Sequence, residues 1–172
     1  MSNIYVRQTT LDDLPKAMET IAGTKKTLSD NGVDQWQQGY PNEEIVKQDI
    51  EEDIGFSLIL DGEIVGGAAL QQGYDKDFQD MIDGAWDSES DVTYAIIRRL
   101  SVNEKGKRFC SDLIENLLTI SHYLGYSDVR TDVHPDNLEM KRIITDCGFV
   151  EKGTIRVARE NDKRIAYQIL LK

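Results

Sequence analysis

VTYAIIRRLSVNEKGKRFCSD, residues 92 to 112, is the stretch that decides the fold. A run rich in apolar and β-branched residues ends at Val102, a short turn containing Gly106 follows, and an amphipathic helix begins near Arg108. A strand that passes into a helix through such a turn presents backbone N–H groups and the positive end of the helix dipole at one point. Because that arrangement suits an anion, the stretch predicts a phosphate-binding turn at the end of a central strand.

Outward from this stretch, the sequence alternates between strand and helix patterns. The clearest turn is Asp61-Gly62, which joins two apolar runs and suits the tight turn of a hairpin. Helix stops are marked by Asn31-Gly32, Gly125 and Gly148. The predicted strands are 3–8, 56–60, 63–70, 92–102, 127–133, 149–158 and 164–171, and the predicted helices begin at Thr10, Asn42, Arg108 and Pro135.

This order of elements predicts the fold class. The strand, helix and strand between residues 92 and 133 require a parallel crossover, while hairpins flank it on either side. We therefore expect an α/β fold with a mixed, mostly antiparallel sheet of about seven strands and helices on both faces. The chain has 172 residues, which is enough for one domain, 1–172, with a substantial core.

The composition narrows the class of function. The formal net charge is −11, and apolar residues make up 40% of the chain. A chain this acidic has little from which to build the basic face that a nucleic acid partner requires. The acidity suits a cationic substrate, such as an amine or a basic peptide, or it is simply solvated surface.

The N-terminus, the apolar runs and the cysteines bear on location. No apolar run approaches the ~20 residues that span a membrane, and the N-terminus lacks the pattern of a secretory signal. Cys110 and Cys147 have no CxxC spacing and are typical of buried thiols in a reducing compartment. His122 and His134 are not spaced as metal ligands. We expect a cytoplasmic protein with no membrane partner and no metal.

The segment 72–91 is strongly acidic, with Lys76 as its single basic residue. Such a segment predicts a mobile or loosely helical surface excursion. Two interpretations remain open, a solvated charged loop and a lid that attracts a cationic substrate.

Three stretches together resemble the GNAT superfamily of acetyl-CoA-dependent N-acetyltransferases, in a bacterial branch. The first is DNGVDQWQQGYP (30–41), which is similar to the segment after the family's first helix. The second is Arg99-Leu100-Ser101-Val102 with the turn and helix that follow, and the third runs from His134-Pro135-Asp136-Asn137 to Cys147-Gly148-Phe149. The second stretch is a degenerate form of the family's acetyl-CoA motif. The resemblance covers essentially the whole chain.

The resemblance implies a set of residues that bind acetyl-CoA as co-substrate. The family's splayed central strand offers backbone N–H groups to the cofactor, and its glycine-rich turn holds the pyrophosphate. Here Arg108 stands where the family has its middle glycine, and Cys110 holds the small last position. The basic side chains either grip phosphate or fill the space in which it would lie. The implied cofactor-binding residues are Leu100, Ser101, Val102, Lys105, Gly106, Lys107, Arg108, Phe109, Cys110 and, on the pantetheine arm, Asn137.

Candidate catalytic and acceptor residues follow from the same comparison. His134 ends the strand before the last helix and is a candidate base, or it merely orients the start of that helix. Tyr94 is a second catalytic candidate, and it also suits a wall of the acceptor pocket. The family's usual tyrosine acid is replaced here by Ile144, which cannot transfer a proton, so either another group protonates the thiolate, the thiolate leaves unprotonated, or no transfer occurs. Trp36, Tyr40 and Arg98 are the candidate substrate-binding residues, the aromatic ones being equally suited to the core. Arg98 and Arg99 are expected to face opposite ways on their strand. Glu43, Glu44 and Glu63 are other possible bases.

The resemblance thus implies transfer of an acetyl group from acetyl-CoA to a primary amine of a small molecule or peptide. Two alternatives remain open on the same fold. One is a ligand-binding or protein-interaction module that has lost acetyl transfer, which the altered turn and Ile144 favour. The other is an acidic adaptor that uses the segment 72–91. A homodimer is a further expectation from the resemblance.

Overall fold

Eight strands and four helices make up the regular structure of the described residues, which in this computed structural model are 1–79, 81–158 and 160–172. The strands are β1 (Ile4–Gln8), β2 (Gly55–Leu60), β3 (Glu63–Gln72), β4 (Asp83–Gly84), β5 (Ala95–Val102), β6 (Asp128–Val133), β7 (Val150–Val157) and β8 (Asp162–Leu170). The helices are α1 (Leu14–Asp30), α2 (Glu43–Glu51), α3 (Cys110–Tyr123) and α4 (Leu138–Asp146).

One sheet contains all eight strands, in the order β1-β2-β3-β5-β6-β8-β7-β4. Its pairs are antiparallel except for β5 with β6, which α3 connects as a parallel crossover. The predicted mixed, mostly antiparallel α/β sheet is therefore confirmed. The eighth strand is the two-residue β4, which pairs with Gly153 and Thr154 of β7. The predicted hairpin turn is also confirmed, because Asp61 and Gly62 have φ angles of 50° and 86°.

Helices cover both faces of the sheet. The main core lies under α3 and α4, where Leu113, Ile114 and Leu117 pack against strand residues that include Ala95 and Ile97. The helices α1 and α2 pack together through a smaller apolar cluster and approach the sheet from the other side. None of the helices in the described ranges is both long and apolar enough to cross a bilayer.

Three helices begin later than the sequence pattern indicates. The helix α4 starts at Leu138 rather than Pro135, with Asn137 as its cap, and α1 and α3 each follow a 3₁₀ turn. The turn Leu11–Asp13 precedes α1, and Thr10 and Asp13 form a capping box in front of it. The turn Lys107–Phe109 precedes α3, so the helix itself starts at Cys110. The second turn thus contains Lys107, Arg108 and Phe109 of the phosphate-binding candidates, while Cys110 is the first residue of the helix.

A β-bulge interrupts β5 at its centre. Ser101 pairs with Gly67 and Arg98 pairs with Ala69, so two residues of β5 stand opposite the single Ala68 of β3. Arg99 has a φ of 54°, a left-handed conformation that usually belongs to glycine. The expectation that Arg98 and Arg99 face opposite ways is therefore wrong. Leu100 resumes the packing against the main core after the bulge, and both arginines avoid that face.

The acidic segment 72–91 is a packed element rather than a loop without structure. It contains a 3₁₀ turn, Lys76–Phe78, and the strand β4. Phe78 is fully buried, and Trp86 donates its ring N–H to the Phe78 carbonyl oxygen at 2.9 Å. None of the described residues of this segment lines the cleft described below, so the lid interpretation is not supported. Asp80, which the segment includes, lies outside the described residues.

Candidate active site

The sheet opens between β5 and β6. The two strands pair only from Ala95–Ile97 to Val129–Thr131, and the Thr131 hydroxyl donates to the Ile97 carbonyl oxygen at 2.9 Å where they part. Beyond this point β5 continues to Val102 with β3 as its neighbour on one side. Since β6 diverges, the other edge of β5 from Leu100 to Val102 faces a cleft instead of a strand.

The middle of the cleft is a cavity of about 300 Å³. The exposed edge of β5 forms one wall, and the first turn of α4 forms the opposite wall. Residues of α1, among them Thr24 and Leu28, close it from the side. Its lining includes six of the predicted cofactor-binding residues, and these are Leu100, Ser101, Val102, Lys107, Cys110 and Asn137.

Asn137 has two roles in the structure. Its side-chain oxygen accepts from the Met140 backbone N–H at 3.2 Å and caps α4. Its side-chain nitrogen donates to the Gln35 side chain at 3.2 Å. The amide therefore joins α4 to the 31–42 loop across the cleft, which makes both the capping and the ligand-contact interpretations compatible.

At its inner end the cleft narrows to about 70 Å³. Trp36 lines this end, and it is 5% exposed, in a cluster with Leu28 and Val33. Asp132 also lines this end and supplies a carboxylate there, which the sequence analysis did not identify. The nearest charged partner that the described residues offer Asp132 is Arg164, whose Nε lies 4.0 Å away. The signal was available, because Asp132 lies at the carboxyl end of a parallel strand, where α/β sheets place ligands.

The outer end of the cleft widens into an open cavity of about 680 Å³. Four basic side chains line it, namely Lys105, Lys107, Arg108 and Arg142. Lys105 pairs with Glu63 at 2.7 Å, and Lys107 lies 3.7 Å from Glu139 on the opposite wall. Within the described residues, Arg108 and Arg142 form no ion pair, so they are the side chains available to an anion. Arg142 is a second residue that the sequence analysis missed.

The turn before α3 leaves the cleft open. The Arg108 guanidinium lies over the Phe109 ring, 4.6 Å from its centroid, so neither side chain fills the central cavity. Gly106 contributes in a different way from the one predicted. A Cβ at this position would overlap the Val65 carbonyl oxygen, so the missing side chain lets the turn pack against β3. Gly106 and Phe109 do not line the cleft.

His134 is buried beside the cleft and does not line it. Its Nδ1 accepts from the Asp136 backbone N–H at 3.1 Å, and its Nε2 lies 3.7 Å from Asp162. Burial, together with the nearby Arg164 guanidinium, lowers the pKa of His134 below its ordinary value. The geometry favours the alternative in which this histidine orients the start of the last helix.

Tyr94 lies before the first residue of β5, at the opposite end of the strand from the cleft. Its hydroxyl is bonded to both backbone groups of Asp75, at 3.1 Å and 3.2 Å, and burial raises its pKa. It lines a separate surface cavity with Trp86 and Arg130. The predicted catalytic role of Tyr94 in the cleft is therefore corrected, because the strand extends away from it for eight residues.

Two predicted substrate-binding residues are held by ion pairs or hydrogen bonds. Arg98 is 8% exposed, and its guanidinium pairs with Asp75 at 2.8 Å and stacks on Phe78, although the residue also lines the inner end of the cleft. The Tyr40 hydroxyl accepts from Arg99 at 2.9 Å and is not part of the cleft lining. The other possible bases, Glu43, Glu44 and Glu63, also lie outside it.

Cys110 is buried where the central and outer parts of the cleft meet. Burial raises the pKa of its thiol to about 12, with a further contribution from Cys147. The side chain is therefore neutral at physiological pH. It contributes a small apolar surface to the cleft and no charge.

Comparison with known proteins agrees with this geometry. A GNAT-family acetyltransferase from Streptococcus agalactiae superposes with a TM-score of 0.90 at 22% identity, covering 98% of this chain and 96% of that one. A putative acetyltransferase from Staphylococcus aureus gives 0.73 at 18% identity, with 97% and 99% covered. The ribosomal-protein-S18-alanine N-acetyltransferase from Escherichia coli gives 0.67 at 15% identity, with 99% and 95% covered.

Sequence comparison adds nothing further, since no protein-family model and no curated protein matches the chain. The structural similarity extends over nearly the full length of this chain and of its neighbours. It agrees with the sequence resemblance. The chain has the fold of the GNAT-family acetyltransferases.

Proposed function

We propose that this protein transfers an acetyl group from acetyl-CoA to a primary amine of a small molecule or peptide. The observation that carries the proposal is the cleft between β5 and β6, which runs continuously from the Asp132 end to the Arg108 and Arg142 end. One wall is an unpaired strand edge, which suits a ligand arm that carries its own amide groups. The wide basic end suits phosphate groups.

The residues present fit acetyl-CoA as the donor. When bound, acetyl-CoA would supply the activated acetyl group as a thioester. Leu100, Ser101 and Asn137 would contact the arm in the central cavity, and Arg108 and Arg142 would contact phosphate at the outer end. The neutral Cys110 thiol at the junction adds no repulsion toward an anionic ligand.

Asp132 and Trp36 define what the inner end can do. Only the neutral amine can attack, so the ammonium first gives up one proton. Its nitrogen then bonds to the thioester carbonyl carbon, the carbon–sulfur bond breaks and the nitrogen loses a second proton. Asp132 is the carboxylate at the inner end, so it would hold the cationic amine and accept the first proton, while the second passes to water. Ile144 lines the same end and has no proton to give, so the departing thiolate takes its proton from water. Positioning of the two substrates supplies most of the catalysis.

A melting experiment tests donor binding first. At about 100 times its Kd, acetyl-CoA should stabilise the fold by about 2.7 kcal/mol. For a chain of this length the melting temperature should rise by roughly 5–10 °C. A melt that does not change at saturating acetyl-CoA would overturn the proposal.

Thiol release then tests transfer. The amine panel should contain small primary amines and a peptide with an alanine N-terminus, since one structural neighbour is named an alanine N-acetyltransferase. We expect amine-dependent thiol release that Asp132→Asn lowers by about 100-fold, with the acetyl-CoA melting shift retained. A melting shift without thiol release for any amine would favour the ligand-binding module, which the aliphatic Ile144 also favours.

A further inference from the structure

We infer that Asp49 and Arg99, assisted by Tyr40, form a clamp that positions the exposed edge of β5 for acetyl transfer. The inference rests on the proposed function, because the edge that they position is the one that would contact the donor. Asp49 does not line the cleft, and Arg99 lines its inner end with all three guanidinium nitrogens bonded to Asp49 and Tyr40, so both act as positioning residues.

The bulge holds the backbone of Arg99 in an unfavourable conformation. Arg99 adopts a φ of 54°, which an L-residue with a Cβ adopts only when its surroundings hold it there. A glycine would reach this conformation freely. The chain instead has a large charged residue at the position, so the side chain must do something that a glycine could not.

The Arg99 side chain is held by both Asp49 and Tyr40. The Arg99 guanidinium donates from Nε to Asp49 Oδ2 at 2.7 Å and from Nη2 to Asp49 Oδ1 at 2.6 Å. Its remaining nitrogen, Nη1, donates to the Tyr40 hydroxyl at 2.9 Å. The two parallel hydrogen bonds between Arg99 and Asp49 form a fork. The side chains of Arg99 and Asp49 are 11% and 10% exposed, so this fork is largely shielded from water. Such a two-point contact fixes direction as well as distance.

The clamp connects β5 to α2 and to the cluster around Trp36. Asp49 lies on α2, and Tyr40 packs against the cluster that contains Trp36. Trp36 lines the inner end of the cleft, where the acceptor amine would lie. The residue after Arg99 is Leu100, which lines both the central cavity and the inner end of the cleft. The clamp therefore sets the distance between the acceptor wall and the donor wall.

A second arginine–aspartate pair in the protein allows a positioning role to be distinguished from a contribution to stability. Arg7 and Asp13 form a comparable fork, at 2.7 Å and 3.0 Å, between β1 and the turn before α1. Neither of them lines the cleft, and neither has a left-handed backbone. This pair is the matched control, since its loss removes a similar interaction without moving the cleft walls.

The test compares two double variants and two milder single variants. In Arg99→Gly with Asp49→Asn, the glycine accepts the positive φ and no charge is left buried. We expect kcat to fall at least about tenfold with the Kd for acetyl-CoA within about threefold, because misplaced walls affect the reaction more than donor binding. The control, Arg7→Gln with Asp13→Asn, should keep kcat within about twofold after correction for the folded fraction.

Tyr40→Phe and Arg99→Lys keep the inference testable if the first double variant does not fold. Each removes part of the fork and should lower kcat by about two- to fivefold without a matching rise in Kd. Wild-type turnover with kcat unchanged in both single variants would overturn the inference and leave the proposed function standing. Absence of turnover in the wild type would overturn the proposed function, and the inference with it.

Discussion

The guanidinium carbon of Arg130 lies 3.8 Å from the centre of the Tyr94 ring, and the Trp86 ring lies 4.2 Å away from the same carbon. The Arg130 side chain also pairs with Asp128 at 2.9 Å and donates to the Phe78 carbonyl oxygen. This stack attaches the 72–91 segment to the start of β5. Tyr94 is thereby a structural residue, far along the strand from the cleft.

Tyr94→Phe should consequently leave acetyl transfer within about twofold of the wild type, because the ring and its cation–π contact remain. Loss of the two hydroxyl bonds to Asp75 should cost about 1 kcal/mol in the free energy of unfolding. Steady-state rates and urea denaturation measure the two effects. A kcat reduced by about 100-fold would restore Tyr94 as a catalytic residue.

Arg142→Glu and Arg108→Glu should each weaken acetyl-CoA binding by about tenfold, since these two cations at the outer end of the cleft form no ion pair with any residue that the structure describes. S-acetylpantetheine, which carries no diphosphate, should bind the variants as well as it binds the wild type. Calorimetric titration measures both affinities. Arg156→Glu, at an exposed position on β7, is the matched control. Equal weakening of both ligands would show that phosphate is not what the arginines contact.

Gly106→Ala should destabilise the protein by about 1–3 kcal/mol, because the added methyl group would overlap backbone atoms of Val65. Gly23→Ala is the matched control, since no atom lies within 4 Å of its Cβ position in the middle of α1. That control should stabilise the helix by about 0.5–1 kcal/mol. Equal stability of the two variants, measured by urea denaturation, would contradict the close packing of the turn on β3.

Stability at low pH should depend on Asp13. The Arg7 guanidinium, helped by Thr10, holds the pKa of this carboxyl at about 2, against an ordinary value of 3.8. A carboxyl with a lowered folded pKa contributes stability above its ordinary pKa and loses it as the pH falls toward its folded pKa. Asp13→Asn should thus be about 1 kcal/mol less stable than the wild type at pH 7.

That difference should shrink between about pH 4 and pH 2, where the wild-type carboxyl takes up its proton. Urea denaturation at several pH values measures it. A difference that stays constant down to pH 2 would show that the ion pair does not set the pKa of Asp13.

Cys110 should react slowly with a disulfide reagent in the native protein, because its pKa of about 12 leaves almost no thiolate at pH 8. Unfolding in urea should release two reactive thiols, Cys110 and Cys147. Rapid native labelling of Cys110 would show that the junction of the cleft is more open than its burial indicates.

Local sequence signals were enough to predict most of the fold. Asp61-Gly62 specified its hairpin because both residues tolerate a positive φ, and the glycines after α3 and α4 marked their ends. The strand β4 was not predictable, because its two residues depend on pairing with β7 rather than on any pattern of their own. The acidic segment was misjudged for a similar reason, since its composition hides the burial of Phe78 and the stack around Arg130.

The candidate site was harder to predict than the fold. The alternation rule placed Arg98 and Arg99 on opposite faces, but a bulge adds a residue that no periodic rule anticipates. Asp49 and Arg142 join the region from helices that are distant in sequence, so only the tertiary structure identifies them. Asp132 could have been found from the strand end, and His134 drew attention away from it because histidine is the commoner base.

The short contact between β5 and β6 has a mechanical consequence. Three residue pairs couple a four-stranded body, β1-β2-β3-β5, to the remaining strands. A ligand bound between the diverging strands contacts both parts of the sheet, so its binding energy would stabilise the sheet where the fewest strand pairs hold it together. Amide exchange at Ile97 and Thr131 would then slow by a larger factor than exchange at the paired centre of β2, which lies within one body.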